Sequence, residues 1–355
     1  MQLTNEQESA LLRIEELREQ GVAEVRLVGP AGTGKTTLMK HLVRNLEGED
    51  VVVVTPTNKA AKVLRTKGVE AYTLYAVFFT PEDEIPGHLG RSGSVRFLAN
   101  DQLHSKLGEG KRDFADTIVV DEASMLQTWL IQHLRRMCNT LILVGDPHQL
   151  PPVNDRSNPN GYFCTAKPHA ELTTVMRQDE GSPILELATH IRNGRFPEPL
   201  VRSLAPSATF AQWLTPENKI IAFTNNHRRA INMVARQVLG FDGVLPKAGD
   251  RMVCLDNIDP GLLNGTEVVV ERFSWKMPAR FGEMVCRDED GKQRTVSFNV
   301  GKFLRDMPDG SYPAAKLEHV INAGVTSDEA IAFTYAYCIT AHKSQGSEWD
   351  AVCVI

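Results

Sequence analysis

Gly29-Pro30-Ala31-Gly32-Thr33-Gly34-Lys35-Thr36 is the stretch on which the reading of this chain turns. It fits the P-loop pattern G-x-x-x-x-G-K-[ST]. The glycines of that pattern let backbone N–H groups face a phosphate chain, and the helix that follows adds positive potential at its N-terminus. The surroundings suit the role. Val25-Arg26-Leu27-Val28 before it reads as a short buried strand, and Thr36 to Leu46 after it as a helix. The expected nucleotide contacts are Gly29, Ala31, Gly32, Thr33, Gly34, Lys35, Thr36 and Thr37. Lys35 is expected to reach the β/γ-phosphates and the Thr36 hydroxyl to bind Mg²⁺, so ATP and Mg²⁺ are the expected ligands.

Working outward, Val51-Val52-Val53-Val54, Ile118-Val119-Val120 and Leu141-Ile142-Leu143-Val144 read as further buried strands. A helix is expected over about residues 58–66, and another over 4–20, where Ala10, Leu11, Ile14 and Leu17 fall at helical spacing behind Thr4 or Asn5 as N-cap. Short apolar strands alternating with helices predict an α/β fold with a parallel sheet covered on both faces. Asp121-Glu122 follows the third strand directly. There Asp121 is placed to hold the magnesium shell and Glu122 to polarise an attacking water as general base. Gly145-Asp146-Pro147-His148-Gln149 follows the fourth strand, at the sheet edge where ligands bind in open α/β folds. Gln149 reads either as a sensor of the γ-phosphate or as part of a polar turn stiffened by prolines.

Between Tyr72 and Arg112 the pattern breaks into Pro, Gly, Ser and charged residues, as in an insertion. A second α/β unit is expected from about Leu172, with Ile220-Ile221-Ala222-Phe223 as a strand. From Gly249 to Val300 short alternating strands predict a small inserted β-barrel, with Asp290-Gly291 as a hairpin turn.

The 355 residues carry 39 basic and 44 acidic side chains, a net charge of −5 that argues against a protein coating duplex DNA non-specifically. The six cysteines are scattered without a CxxC pair, so neither a zinc knuckle nor a disulfide framework is signalled. No apolar run reaches the roughly 18 residues a membrane span needs, and the N-terminus lacks signal-peptide features; a cytoplasmic location is the expectation.

The segments, taken in order, resemble the superfamily 1 DNA helicases of the 5′-to-3′ branch, the RecD-like and Dda-like helicases. The matching stretches are residues 3–7, the P-loop, 55–61, 121–125, 145–153, 172–178, 223–225 and 340–346. The resemblance implies two RecA-like domains, 1–71 with 113–170 and 171–247 with 333–355. It also implies an insertion at 72–112 in the place of a strand-separating pin, and an SH3-like insertion at 248–332. It further implies that Gln7 recognises adenine, that Gln149 couples nucleotide to DNA, and that Arg177 reaches the γ-phosphate from the second domain. Thr55, Pro56, Thr57, Asn58, Thr224, Asn225, His342, Lys343 and Ser344 would line the single-stranded DNA track. Hydroxyls and backbone N–H groups suit such a track, because they bind phosphate without reading bases. Single-stranded DNA and single/double-strand junctions are the implied partners of a monomeric motor, with replication or recombination proteins as further ones.

Phe78, Phe79 and Phe97 are candidates for a wedge or stacking residue, or for local core. Thr73-Leu74-Tyr75 departs from the Thr-Ile-His common among relatives. The family's closing Tyr-x-x-x-Thr-Arg motif, which supplies a second arginine, does not occur before Ile355. An arginine finger contributes about 10³–10⁵ in turnover. The sequence therefore reads as truncated before that motif. It leaves two expectations: an ATP-dependent helicase, or a nucleotide- and single-strand-binding module with little turnover.

Overall fold

The computed structural model describes residues 3–81, 97–99, 115–153, 155–176, 183–198, 209–257, 262–322, 330–347 and 349–355. The chain divides into two compact units, Met1–Pro206 and Ser207–Ile355.

The first unit begins with helix α1 (Asn5–Glu19). Thr4 caps it, its hydroxyl accepting from Gln7 N while the Gln7 amide oxygen accepts from Thr4 N. This reciprocal capping box satisfies two of the N–H groups that any helix start leaves open. Strand β1 (Glu24–Val28) leads through the P-loop into α2 (Lys35–Asn45). Strand β2 (Val51–Thr55), helix α3 (Asn58–Thr66), strand β3 (Tyr72–Thr73) and helix α4 (Leu74–Phe78) follow. Strands β4 (Phe79–Pro81) and β5 (Phe97–Ala99) pair antiparallel within the region expected to be an insertion. Then come β6 (Ala115–Val120), α5 (Thr128–Leu134), β7 (Cys138–Gly145), α6 (Tyr162–Thr165), β8 (Ala170–Glu171) and α7 (Pro183–Arg192).

The main sheet has the order β3-β2-β6-β7-β1-β8, and every pair in it is parallel. Its strands are runs of Val, Ile and Leu because both faces are covered. Val25, Leu27, Val53, Val119 and Ile142 pack with Leu11, Ile14, Leu38 and Leu42 on one face. Val28, Val54, Ile118, Val120 and Leu141 pack with Leu130, Ile131, Leu134 and Phe163 on the other. Successive residues of β6 thus alternate between two cores, as strand geometry requires. Each fully buried Leu or Ile contributes about 1.5–3 kcal/mol, so the sheet is the rigid base of everything at its edge. Phe78, one of the candidate wedge residues, is buried in the second of these cores. The side chains of Phe79 and Phe97 lie outside what is described.

Residues 171–206, which the sequence reading gave to the second α/β domain, group with the first unit. The reason is local. Strand β8 pairs with β1, Leu172 N donates to Val28 O, and Met176 N donates to Gly32 O.

The second unit contains α8 (Phe210–Trp213), β9 (Asn218–Ala222) and α9 (Asn225–Val238), followed by β10 (Arg251–Cys254), β11 (Glu267–Ser274), β12 (Phe281–Asp288) and β13 (Gln293–Asn299). Helices α10 (Val300–Arg305) and α11 (Ala314–Asn322) precede β14 (Phe333–Tyr335), β15 (Cys338–Thr340), α12 (Ala341–Ser344) and β16 (Ala351–Val354). Strand β9 lies between β15 and β16 in a parallel three-stranded sheet. Strands β13-β12-β11-β10-β14 form a five-stranded antiparallel sheet. Its hairpin between β12 and β13 turns at Gly291, φ 78°, where the sequence placed a turn. Residues 333–335 join this sheet through the pairing of β14 with β10, so the parallel part resumes only at Cys338. The core of the antiparallel sheet is aromatic, with Phe298 against Phe273, Phe303 and Phe333.

A fully buried ion pair, Arg236 Nε to Asp250 Oδ1 at 2.9 Å, ties α9 to the start of β10. Asp250 also accepts from Tyr337 Oη and Lys247 N, and the guanidinium lies 4.5 Å above the Tyr335 ring. Removing one partner of such a pair costs about 3–5 kcal/mol, because the other charge is left stranded.

Candidate functional site

The carboxyl ends of β1, β6 and β7 emerge at one edge of the main sheet. Val28 is in register with Gly145, and Val120 with Leu143. The P-loop, Asp121-Glu122 and the 145–149 turn therefore converge, as ligand-binding loops do in open parallel sheets.

Within the P-loop, Gly34 is the N-cap of α2 at φ 83°, a conformation costly to any residue with a Cβ. A Cβ there would lie 2.2 Å from Gln7 Nε2. Gln7 is buried and donates to Thr33 O at 3.1 Å, so α1 braces the loop from behind. Thr33 is buried and donates its hydroxyl to Pro30 O at 3.0 Å. Lys35 Nζ donates to Gly29 O at 2.7 Å and Pro30 O at 2.8 Å. Burial lowers the Lys35 ammonium pKa, opposed by the charges of Glu122, Asp146 and Asp121. Thr36 and Thr37 are half-buried in the first turn of α2, and Ala31 is exposed.

A second strut comes from the segment after β8. Glu6 on α1 accepts from Thr173 N at 2.7 Å, Thr173 Oγ1 at 2.6 Å and Thr174 N at 3.2 Å. The Thr173 hydroxyl bond leads the lowering of its pKa. Two residues on, Met176 N bonds Gly32 O at 2.8 Å. Arg177 comes next in sequence and lies outside the described residues.

Asp121 is buried. Its N–H donates to Val54 O at 3.0 Å, and its Oδ1 accepts from Glu122 N at 3.0 Å. Burial raises its pKa. Glu122 has φ 55° and ψ 38°, the one non-glycine residue with positive φ among those described. Backbone held in this region costs of order 1–3 kcal/mol and concentrates at functional sites. Its carboxyl is pushed up to about 7, first by burial and then by the neighbouring Asp121 and Asp146 charges, with Lys35 opposing. A carboxyl titrating near neutrality suits proton abstraction from water. The donor types also suit magnesium: a buried carboxyl at Asp121 and a hydroxyl at Thr36, in a shell that phosphate oxygens and water usually complete. Groups of three or more His, Cys, Asp or Glu able to hold a metal do not occur among the described residues.

On the 145–149 turn, Asp146 is buried, accepting from His148 N at 3.0 Å and Arg192 Nη2 at 2.7 Å. Gln149 N donates to Asp146 O at 3.1 Å, and Gln149 Oε1 accepts from Ser124 Oγ at 3.4 Å. The turn thus touches the loop that carries Glu122. Sequence reasoning missed Ser124, although it stands inside the Asp121-Glu122-Ala123-Ser124 run. It also missed Glu6 and Arg192, for which only packing gives a signal.

The expected strand contacts divide. Thr55 is fully buried and donates its hydroxyl to Thr57 O at 2.7 Å. Its hydroxyl shapes the loop from inside. Thr57 caps α3 by accepting from Ala60 N at 3.2 Å, with Pro56 and Asn58 half-buried beside it. In the second unit, Thr224 caps α9 through His227 N at 3.2 Å, and Asn225 accepts from Arg228 Nε at 3.0 Å. Both are exposed, next to Phe223. His342 and Ser344 are half-buried on α12, Ser344 donating to Ala341 O. Lys343, on the same helix, is exposed. Desolvation by the surrounding protein, then the charge of Arg228, lowers its ammonium to about 8.

A family model described as an AAA domain matches residues 2–205. The ATP-dependent DNA helicase Dda of Enterobacteria phage T4 is 27% identical over 267 residues, which are 66% of this chain and 57% of that protein. The ATP-dependent RecD2 DNA helicase of Deinococcus radiodurans is 26% identical over 368 residues, 92% of this chain and 42% of that one. This chain therefore spans about half the length of these relatives. Among solved structures, a Pif1 helicase from Bacteroides in complex with ADP-AlF3 and single-stranded DNA aligns with a TM-score of 0.59 at 20% identity, covering 100% of this chain and 86% of that one. At that identity the likeness speaks to the α/β fold. The family resemblance read from the sequence holds in the relatives it finds. Among the described residues, no helix is long and apolar enough to cross a membrane.

Proposed function

The chain belongs to the AAA domain family, and from that premise we propose that it is the motor of an ATP-dependent DNA helicase moving 5′-to-3′ on single-stranded DNA. The observation that carries the reading is the meeting of Lys35, Asp121, Glu122 and Gln149 at one sheet edge, with Glu122 held at positive φ and its carboxyl near 7. ATP is the substrate. Lys35 and the N–H groups of 31–36 bind its phosphates, and Thr37 extends the cradle. Asp121 and Thr36 would hold Mg²⁺, which would supply charge neutralisation at the phosphates. Glu122 takes the proton of the attacking water. Gln7 has one N–H and one lone pair committed to the loop and the cap. Its other N–H and lone pair remain to read adenine.

Arg177 is the proposed arginine contact to the γ-phosphate. Gln149, through Ser124, links the nucleotide to the strand. The proposed single-stranded DNA contacts are Thr55, Pro56, Thr57 and Asn58 in the first unit, and Thr224, Asn225, His342, Lys343 and Ser344 in the second. The five-stranded antiparallel sheet is the SH3-like insertion of such motors, and the parallel parts are the two RecA-like domains. Partners are single-stranded DNA and its junctions with duplex, met by a monomer in the cytoplasm, with replication or recombination proteins beyond.

The test is strand separation on duplexes carrying a 5′ or a 3′ single-stranded tail, with ATP and Mg²⁺. The 5′-tailed substrate is expected to open and the 3′-tailed one to stay closed. Opening from the 3′ tail alone would refute the polarity.

A further inference from the structure

Three carboxylates, Asp121, Glu122 and Asp146, stand round the single ammonium of Lys35, in a site that must also take a triphosphate. Each of the three acts electrostatically on Lys35. Among the described residues, Asp146 is the one of the three met by an arginine, Arg192 Nη2 to Oδ2 at 2.7 Å. Its other oxygen, Oδ1, accepts from His148 N inside its own turn. The carboxylate is 6% exposed and the guanidinium side chain 28%, so this pair is little screened by water. Downstream of Asp146 the turn closes through Gln149 N to Asp146 O, and Gln149 Oε1 reaches Ser124, two residues from Glu122.

We propose that Arg192 is a positioning residue of the nucleotide site, acting through Asp146 to hold the 145–149 turn and the Gln149 amide against Ser124. The inference rests on the ATPase reading above. The placement of Arg192 supports it. It ends α7, a helix without a buried residue among those described. The salt bridge ties the end of this helix to the site. A charge-assisted bond of this length is directional and about twice as strong as a neutral one, so it fixes the orientation of Asp146 as well as compensating its charge. With Arg192 gone, Asp146 keeps its bond to His148 N but lies buried without its counter-charge beside Glu122. The turn then loses the constraint that aligns Gln149.

The experiment compares wild type, Arg192→Gln, Arg192→Lys, Asp146→Asn and the double Arg192→Gln/Asp146→Asn. Steady-state ATP hydrolysis is measured with and without a single-stranded oligonucleotide, and ADP affinity with and without aluminium fluoride. Arg192→Gln is expected to lower kcat about tenfold or more while KM moves less than about threefold, the pattern of an interaction that matters in the transition state. The DNA-stimulated rate should fall further than the basal rate. Arg192→Lys should recover most of the loss, and the double variant should be no worse than Asp146→Asn alone. Wild-type kcat in Arg192→Gln, a loss explained wholly by KM, or additive losses in the double variant would overturn the proposal. If wild-type turnover ignores DNA, the helicase reading fails while the kcat comparison still decides the role of Arg192. If no turnover occurs, the gain in ADP affinity on adding fluoride decides it: a smaller gain in Arg192→Gln supports the proposal, and an equal one refutes it.

Discussion

At the scale of single residues, the proposed chemistry concentrates on Glu122. Its backbone sits in the left-handed region and its carboxyl is held near 7 by burial beside Asp121. Glu122→Gln keeps the size and removes the base. Turnover should fall by about 10²–10⁴, the usual contribution of a positioned general base, while a fluorescent ADP analogue still binds. For wild type, kcat/KM for ATP should rise with pH through about 7, because that ratio reports the free enzyme's essential groups. The same group affects stability. Its folded-state value lies above the unfolded 4.5, so the carboxyl binds more protons folded than unfolded between about 4.5 and 7. The stability it contributes is complete below about 4.5 and lost as pH rises through about 7, on the order of 1–3 kcal/mol. Thermal melts should therefore favour Glu122→Gln over wild type more at pH 8 than at pH 5; a constant difference would contradict the shift. The Asp121-Glu122 pair was legible because it follows a run of buried β-branched residues. The positive φ was not, since it is imposed by the loop's contacts and leaves no mark in residue type. The inward bond of the Thr55 hydroxyl to Thr57 O was equally invisible, because which face a strand-end hydroxyl takes depends on the loop it closes.

At the scale of elements, the P-loop is held between α1 and the segment after β8. Gln7 is the hinge of the first support, capping its own helix and bonding Thr33 O. Gln7→Ala removes the reciprocal capping bond and the strut together. It should cost about 1–2 kcal/mol in stability and raise KM for ATP more than it lowers kcat. Melting temperature and Michaelis curves of the variant check both. A fall in kcat with unchanged KM would place the role of Gln7 elsewhere. The elements themselves were readable: α1 from the spacing of Ala10, Leu11, Ile14 and Leu17, and the four central strands from their apolar runs. Strand β8 was not. Two residues long, it carries no periodicity, and only its pairing with β1 shows that Leu172 still belongs to the first sheet.

At the scale of the whole chain, the first compact unit is Met1–Pro206, and backbone bonds from Leu172 and Met176 keep the segment after β8 with the P-loop. No composition change marks the bonds that decide this. The net charge of −5 means that binding to a polyanion must come from local donors. Those proposed are hydroxyls, helix starts and Lys343, whose charge is half lost near pH 8. Across these scales, hydrolysis at the β1, β6 and β7 edge is proposed to be coupled to a single strand. ATP hydrolysis by this chain with Mg²⁺, with and without a single-stranded oligonucleotide, beside Lys35→Ala, tests that coupling. The oligonucleotide is expected to stimulate turnover, and Lys35→Ala to lose it by about 10²-fold or more. Turnover indifferent to the oligonucleotide, or surviving the loss of Lys35, would contradict it.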